Sequence, residues 1–206
     1  MKNQYKKFRN IILTGMPASG KSTFGKTYAV HSGRYFLDFD RYFEFITKKK
    51  IADIFANEGE ESFRIQEEFV LKKLEKKHNY VIAMGGGTLC SENNFEFARK
   101  LGLIVFLETP TEILSKRILH DKIDKNLPRP LFSNMKTLSE IEDSVKGLWE
   151  LRKSFYEKAY IHLNTAFSST DNLKLQLGLY EKKSSERDIH RERLHQKTQK
   201  PSPYKK

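Results

Sequence analysis

The stretch Gly15-Met-Pro-Ala-Ser-Gly-Lys-Ser22 fits the pattern G-x-x-x-x-G-K-[ST], which is typical of a phosphate-binding loop between a strand and a helix. The apolar run Arg9–Thr14 precedes it, and Lys21–Ser32 follows with helical composition and stops before Gly33. Successive backbone N–H groups and the N-terminus of the helix can surround a phosphate in such a loop. The stretch therefore predicts a strand, a loop and a helix that together bind a nucleoside triphosphate.

The loop and the start of its helix supply the predicted nucleotide contacts. Gly20 permits the tight backbone path, Lys21 reaches the β and γ phosphates, and Ser22 ligates Mg²⁺. The predicted nucleotide-binding residues of this segment are Gly15, Pro17, Ala18, Ser19, Gly20, Lys21, Ser22 and Thr23. ATP as co-substrate and Mg²⁺ as cofactor follow from this pattern.

Strands and helices alternate along the rest of the chain. Four more short apolar segments are predicted to be buried parallel strands, over 34–37, 79–84, 103–107 and 160–163. Helices are predicted over Ser62–Lys77 and Ser91–Leu101, and two Thr-x-x-Glu capping boxes predict helix starts at Thr109 and Thr137. This order predicts an α/β fold of three layers with a five-stranded parallel sheet, whose ligands bind at the carboxyl ends of the strands.

The positive charge of the chain is concentrated at its two ends. The chain has 206 residues and a formal net charge of +12. Residues 1–10 carry four Lys or Arg and no acid, and residues 181–206 carry nine Lys or Arg against four acids. We predict a basic extension over 1–9, one globular domain over 10–180 and a disordered basic tail over 181–206, because the tail has too few apolar residues to offset its ordering entropy.

Apolar runs and cysteine content bear on the cellular location. No run approaches the roughly 18 apolar residues needed to cross a bilayer, and the N-terminus lacks the apolar stretch of an export signal. Cys90 is the only cysteine, which excludes an internal disulfide and a cysteine-based zinc site. We predict a cytoplasmic protein with no membrane partner.

Two carboxylates follow the second predicted strand, at the edge of the sheet where ligands bind. On an extended segment, Asp38 and Asp40 would point to the same side, so that one could face a metal and the other an acceptor. The same pair could equally cap the next helix. The residues alone leave both interpretations open.

Four more features are candidates for an acceptor site. Gly85-Gly-Gly87 follows the third strand and would let the backbone approach a ligand closely, although it could be an ordinary turn. Arg64 and Arg152 lie in helical segments, and Arg129 lies between two prolines in a polar loop; each could also be a surface charge.

The chain lacks the Asn-Lys-x-Asp motif of switch GTPases. A small-molecule kinase, with an acceptor pocket, a metal site and a mobile cationic flap, fits better.

Taken in their order along the chain, the phosphate loop and these candidate segments resemble those of the shikimate kinase family. That family has, after the phosphate loop, a D-x-D, a Gly-Glu-x-x-Phe-Arg stretch, a Gly-Gly-Gly turn, an Arg-Pro-Leu lid and an arginine shortly before a tyrosine. The matching segments are Asp38-Phe-Asp40, Gly59-Glu-Glu-Ser-Phe-Arg64, Gly85-Gly-Gly87, Arg129-Pro-Leu131 and Arg152-Lys-Ser-Phe-Tyr156. The resemblance spans about residues 10–180 and leaves out both basic ends.

The resemblance implies that the chain uses ATP to phosphorylate the 3-hydroxyl of shikimate in aromatic amino-acid biosynthesis. Arg64 and Arg152 are implied to hold the substrate carboxylate, for which a planar guanidinium is well shaped. Asp40 is implied to bind ring hydroxyls and to accept the proton of the attacking hydroxyl. The backbone of Gly85, Gly86 and Gly87 is implied to line the ring.

On the phosphate side, the resemblance implies that Asp38 holds Mg²⁺ together with Ser22. Arg129, in a mobile lid, is implied to close over the γ-phosphate and the bound substrate, and Arg117 to stack on the adenine. The implied catalytic residues are therefore Lys21, Asp40 and Arg129. A monomer is implied as well.

The chain departs from the family pattern after the last predicted strand. Asn164-Thr165 stands where the family often has Asp-Thr, and the proline that usually follows is absent. This departure concerns contacts to the nucleotide base rather than to shikimate.

Two other functions stay open on the residues alone. Another P-loop small-molecule kinase, such as gluconate kinase, would share the fold without needing both carboxylate-binding arginines. A nucleotide-dependent module whose basic ends bind nucleic acid would show a steep salt dependence, lost on removal of residues 181–206. That module would leave Asp40, Arg64 and Arg152 unexplained, so nucleic acid is not an expected partner.

Overall fold

The computed structural model describes residues 8–124, 130–166, 169 and 171–180, and in them five short strands form one parallel sheet. The order of strands in the sheet is β2-β3-β1-β4-β5. The strands are β1 Ile11–Thr14, β2 Tyr35–Asp38, β3 Tyr80–Ala83, β4 Leu103–Glu108 and β5 Ile161–Asn164. All five predicted strands are confirmed, with ends that shift by one or two residues.

Helices cover both faces of this sheet. They are α1 Lys21–Ser32, α2 Phe39–Thr47, α3 Ile51–Asn57, α4 Gly59–Lys72, α5 Glu92–Leu101, α6 Thr111–Asp124, α7 Leu138–Tyr156 and α8 over 171–180, with 3₁₀ turns at Lys73–Lys76 and Pro130–Phe132. Side chains alternate along β1, so that Ile11 and Leu13 pack in one apolar cluster and Ile12 in the other. The predicted three-layer α/β architecture is confirmed.

Two local predictions are wrong at helix ends. The helix predicted over Ser62–Lys77 begins at Gly59, where acidic residues in the first turn favour the helix N-terminus, and its α-helical part ends at Lys72. The capping box at Thr137 forms as predicted. The one at Thr109 does not, because α6 begins after Pro110, whose carbonyl accepts from the Ile113 and Leu114 amides, and the Thr109 hydroxyl pairs with the Thr165 hydroxyl instead.

Three predicted features lie wholly or mostly outside the described residues: the N-terminal extension up to residue 7, the lid arginine Arg129, and the tail 181–206. The helices on either side of the lid segment, α6 and α7, are present. Among the helices of the described ranges, none combines the length and the apolar content that a bilayer span requires.

Candidate active site

A cavity of about 700 Å³ opens at the carboxyl ends of the strands, as expected for a parallel sheet. The ends of β2, β3 and β4 border it, and the loop after β1 forms its floor. Apart from Gly15, every predicted site residue that the structure describes lines this cavity: Pro17, Ala18, Ser19, Gly20, Lys21, Ser22, Thr23, Asp38, Asp40, Arg64, Gly85, Gly86, Gly87, Arg117 and Arg152. Segments far apart in sequence therefore meet at one site.

The phosphate loop closes around the ammonium group of its own lysine. Lys21 is buried at the first position of α1, and its Nζ donates to the carbonyl oxygens of Gly15 at 2.9 Å and Met16 at 2.8 Å. Gly15 lies so close to β4 that a Cβ there would be 2.8 Å from the Leu107 carbonyl oxygen. The loop thus holds a positive charge at the start of a helix, where P-loops bind phosphate.

Asp38 caps a helix and also faces the phosphate loop, so it fits both interpretations that the sequence left open. One carboxylate oxygen, Oδ1, accepts from the Arg41 amide at 3.3 Å and caps α2. The other, Oδ2, accepts from the Ser22 hydroxyl at 2.7 Å. A hydroxyl and a carboxylate in contact are the oxygen ligands that Mg²⁺ prefers, so this pair fits the ion that the sequence predicts.

Asp40 does not lie on an extended segment, and that prediction is wrong. Capping by Asp38 starts α2 at Phe39, so Asp40 already lies in the first helical turn. The buried Phe39 between the two acids anchors this turn in the core. The Asp40 carboxylate still faces the cavity, since a Cβ on Gly85 would lie 2.6 Å from its Oδ1.

Two arginines from distant helices converge on Gly87. A Cβ on this residue would lie 3.0 Å from Nη2 of Arg64, on α4, and 3.3 Å from Nη2 of Arg152, on α7. Any larger residue would displace these guanidinium groups. Two adjacent cations beside a bare backbone form a site suited to a small carboxylate.

Arg64 is held in place by a carboxylate that sequence reasoning missed. Glu67 is 2% exposed; its Oε2 accepts from Arg64 Nη1 at 2.8 Å, and its Oε1 accepts from the Thr88 hydroxyl at 2.7 Å. Burial alone would lower the pKa of Arg64, but the ion pair with Glu67 raises it. The three-residue spacing on one helix face is a signal that could have revealed this pair.

Arg152 has an unsatisfied donor. The residue is only 7% exposed, and within the described part of the chain its Nη1 has no hydrogen-bond partner. A buried cation with an unpaired donor costs free energy unless an anion satisfies it. This burial rules out the surface charge that the sequence left open, and it makes Arg152 a candidate ligand for an anion.

Arg117, the predicted adenine contact, lies on α6 and borders the cavity. Arg117 donates from Nη1 to the Ala18 carbonyl at 3.2 Å and is exposed at the rim. Thr165, in the segment where the chain departs from the family pattern, also lines this region, as does Leu173, which sequence reasoning did not single out. Lys122 donates to the carbonyls of residues 132, 133 and 135 and fixes the chain that follows the lid segment.

The environment of Asp40 disfavours its ionised form. Poor solvation among surrounding protein atoms, and then the nearby charge of Asp38, raise the pKa of Asp40 to about 6, against the opposing effect of Lys21. The residue stays accessible because it borders the open cavity. Its proton is therefore bound more tightly in the folded than in the unfolded chain.

Replacing Asp40 with Asn is expected to stabilise the nucleotide-free and Mg²⁺-free protein at pH 8. Because the folded-state pKa of Asp40 is raised, its carboxyl group destabilises the fold as the pH rises from about 4 towards about 6 and keeps doing so above that range. The melting temperature of Asp40→Asn should exceed that of the wild type at pH 8 and equal it below pH 4. The exposed Asp143→Asn on α7 is the control, and an equal gain from both variants would contradict this account.

Comparison with known proteins adds a family match. A family model described as shikimate kinase matches residues 17–178. The shikimate kinase of Chlorobaculum parvum is 36% identical over 149 residues, which cover 72% of this chain and 79% of that protein. The shikimate kinase of Azobacteroides pseudotrichonymphae is 38% identical over 154 residues, which cover 74% and 88%.

Solved structures show the same similarity. Shikimate kinase from Acinetobacter baumannii, in complex with shikimate, aligns with a TM-score of 0.73 at 33% identity and covers 84% of this chain and 92% of its own. Shikimate kinase from Bacteroides thetaiotaomicron aligns with a TM-score of 0.74 at 30% identity and covers 82% and 96%. The share of this chain left outside these two alignments is similar in length to its two basic ends together.

Proposed function

The chain belongs to the shikimate kinase family, and we propose that it transfers the γ-phosphoryl group of ATP to the 3-hydroxyl of shikimate. The observation that carries this proposal is the meeting of Arg64 and Arg152 at Gly87, in the same cavity as the phosphate loop. The arginines supply a carboxylate site and the loop supplies a phosphate site. An acceptor with a carboxylate and a ring hydroxyl fits between them.

On this proposal the acceptor is bound by three groups. Arg64 and Arg152 pair with its carboxylate, and the backbone of Gly85–Gly87 lies along its ring. Asp40, which touches the same turn, accepts hydrogen bonds from the ring hydroxyls. Contacts of this kind align the acceptor for an in-line displacement, which is the main contribution of the protein to phosphoryl transfer.

Asp40 is also the proposed acceptor of the proton that the attacking hydroxyl loses. It is the carboxylate that lies against the glycine turn, where the ring would bind. The oxygen of the acceptor forms a bond to the γ-phosphorus as the bond between that phosphorus and the β–γ bridging oxygen breaks, and ADP leaves. A loose transition state needs little help from a base, so positioning is the larger part of the role of Asp40.

Lys21 and Arg129 are the proposed stabilisers of charge on the transferring group. Lys21 lies in the loop, as described above, and Leu131 and Phe132, which follow Arg129 closely in sequence, line the cavity. Preorganised cations at developing charge are worth roughly 10²–10³-fold each in rate. Arg117 is the proposed contact of the adenine, supported by its place at the rim next to Ala18.

Mg²⁺ is the proposed cofactor, held by Ser22 and Asp38. Their 2.7 Å contact supports this assignment because both residues line the cavity that the phosphate loop borders. When bound, the ion neutralises charge on the phosphates of the nucleotide. The two residues of this chain orient it through a hydroxyl and a carboxylate that are already in contact.

The family match and the composition of the chain also bear on its organisation. We propose that residues 10–180 form the catalytic domain, because the family match ends at residue 178. We also propose that 1–9 and 181–206 are basic appendages, that the enzyme is a monomer, and that it works in the cytoplasm, where its single cysteine would stay reduced.

The proposed function is tested by ADP formation from ATP and Mg²⁺ with shikimate, with gluconate and with no acceptor, at matched concentrations. Turnover with shikimate alone is expected, with a phosphate monoester as product. Turnover with gluconate alone would leave the phosphate loop assignment intact and refute the arginine assignments. Turnover with neither acceptor would refute the proposed function.

A further inference from the structure

The peptide between Gly86 and Gly87 is held by hydrogen bonds from two side chains that do not line the cavity. The Gly86 carbonyl oxygen accepts a hydrogen bond from the Tyr156 hydroxyl, and Cys90 Sγ, 3.8 Å away, is a second and weaker donor. On the other side, a Cβ on Gly86 would lie 3.0 Å from Cδ of Pro17 in the phosphate loop. The glycine turn is therefore held between α7 and the phosphate loop.

Tyr156 itself has little freedom to move. Its side chain is 1% exposed and stacks on Phe106, with ring centroids 5.1 Å apart and planes 7° from parallel. Trp149 stacks at 6.2 Å. Tyr156 also lies one helical turn after Arg152 on α7, so that the same helix places the carboxylate-binding arginine and the hydroxyl behind the turn.

The geometry of a trans peptide determines what this hydrogen bond does. The C=O of Gly86 and the N–H of Gly87 belong to one plane and point in opposite directions. Tyr156 does not line the cavity, whereas Gly86 and Gly87 do. With the carbonyl turned towards Tyr156, the Gly87 N–H is turned away from Tyr156, and Gly87 itself borders the cavity.

We propose that Tyr156 is a positioning residue of the acceptor site, whose hydroxyl holds the Gly86 carbonyl and thereby directs the Gly87 N–H at the bound acceptor. The Cys90 thiol assists it. This inference rests on the proposed function, because it assumes an acceptor that binds over the glycine turn. Tyr156 does not line the cavity, so it acts through the groups that it contacts, which are the Gly86 carbonyl and the neighbouring Arg152.

The protonation of both donors agrees with this role. Burial raises the pKa of the Tyr156 hydroxyl and of the Cys90 thiol above their ordinary values. Both groups therefore keep their protons at neutral pH and remain donors to the same carbonyl.

The test is Tyr156→Phe, which removes the hydroxyl and keeps the aromatic stack. Loss of one hydrogen bond predicts a rise of roughly five- to tenfold in KM for shikimate, with kcat and KM for ATP within about twofold of wild type. Trp149 is the only tryptophan and lies beside Tyr156, so its fluorescence reports equilibrium binding of shikimate independently of turnover. The dissociation constant for shikimate should rise by the same factor.

Tyr28→Phe is the matched control, because Tyr28 is equally buried but packs in the apolar cluster on the other face of the sheet. Its kinetic constants should equal those of wild type. Cys90→Ala, a milder change to the same carbonyl, should weaken shikimate binding about two- to threefold.

Unchanged shikimate affinity in Tyr156→Phe would overturn the inference. So would equal losses for shikimate and ATP with a larger fall in melting temperature than in Tyr28→Phe, since that result assigns Tyr156 a purely structural role. If Tyr156→Phe does not fold, unchanged shikimate affinity in Cys90→Ala would overturn it. Failure of the wild type to use shikimate would refute the proposed function instead, which keeps the two tests separate.

Discussion

Lys21→Ala is expected to reduce phosphoryl transfer about 10³-fold or more. The Lys21 ammonium is the cation that the structure holds inside the phosphate loop, bonded to the carbonyls of Gly15 and Met16. An alanine leaves the transferring group without this charge and leaves two buried carbonyls without their donor. Single-turnover rates at saturating ATP and shikimate would measure the loss in the chemical step.

The control for this variant lies on the same helix. Lys26 is exposed on α1 and lies near the Phe36 ring, outside the cavity, so Lys26→Ala should keep the turnover of the wild type. Shikimate binding, followed by Trp149 fluorescence, should be nearly unchanged in Lys21→Ala. Wild-type turnover in Lys21→Ala would refute the assignment of the phosphate loop.

Arg152→Ala is expected to reduce kcat/KM for shikimate on the order of 10²–10³-fold, mostly through KM, because it removes two or more charge-assisted hydrogen bonds of about 1.5–3 kcal/mol each. The KM for ATP should stay within about twofold of wild type, since Arg152 lies over Gly87 rather than over the phosphate loop. Initial rates with each substrate varied in turn would separate the two constants.

Stability provides a second readout for the same variant. Because no residue in the described part of the chain accepts a hydrogen bond from the buried Nη1 of Arg152, Arg152→Ala should not lower the melting temperature of the protein without substrate. Arg152→Lys keeps the charge but loses the planar fork, and it should recover only a small part of the activity. Lys146→Ala, an exposed change on the same helix, is the control. Equal losses of affinity for ATP and shikimate would contradict the carboxylate role.

The sheet and the phosphate loop were predictable because they depend on local patterns. Short apolar runs between helical segments sufficed to find all five strands, and the start of α1 at Lys21 follows from the loop motif. Helices α2 and α3 were not predicted, although Phe39, Phe43 and Ile46 in α2 stand at helical spacing and pack on the core. That gap explains the error at Asp40, which was placed on an extended segment while Asp38 was in fact capping a helix.

The functions of the two arginines could not be read from local sequence. Arg64 and Arg152 are 88 residues apart, and each looks like a surface charge on its own helix. Only the resemblance to a family picked them out, and it named neither Glu67 nor Thr88. The contacts that hold these groups in place are formed between elements that the sequence separates.

By itself, the sequence determined the order of strands and helices, the phosphate loop and the residue types available for chemistry, because these depend on interactions between near neighbours in the chain. The tertiary structure decided which of these residues meet. It buried Glu67 beside Arg64, buried Arg152 with one donor that no described residue satisfies, and placed the Tyr156 hydroxyl at the Gly86 carbonyl. Burial and long-range contact arise only when the helices pack on the sheet, and they turn charged residues into a binding site.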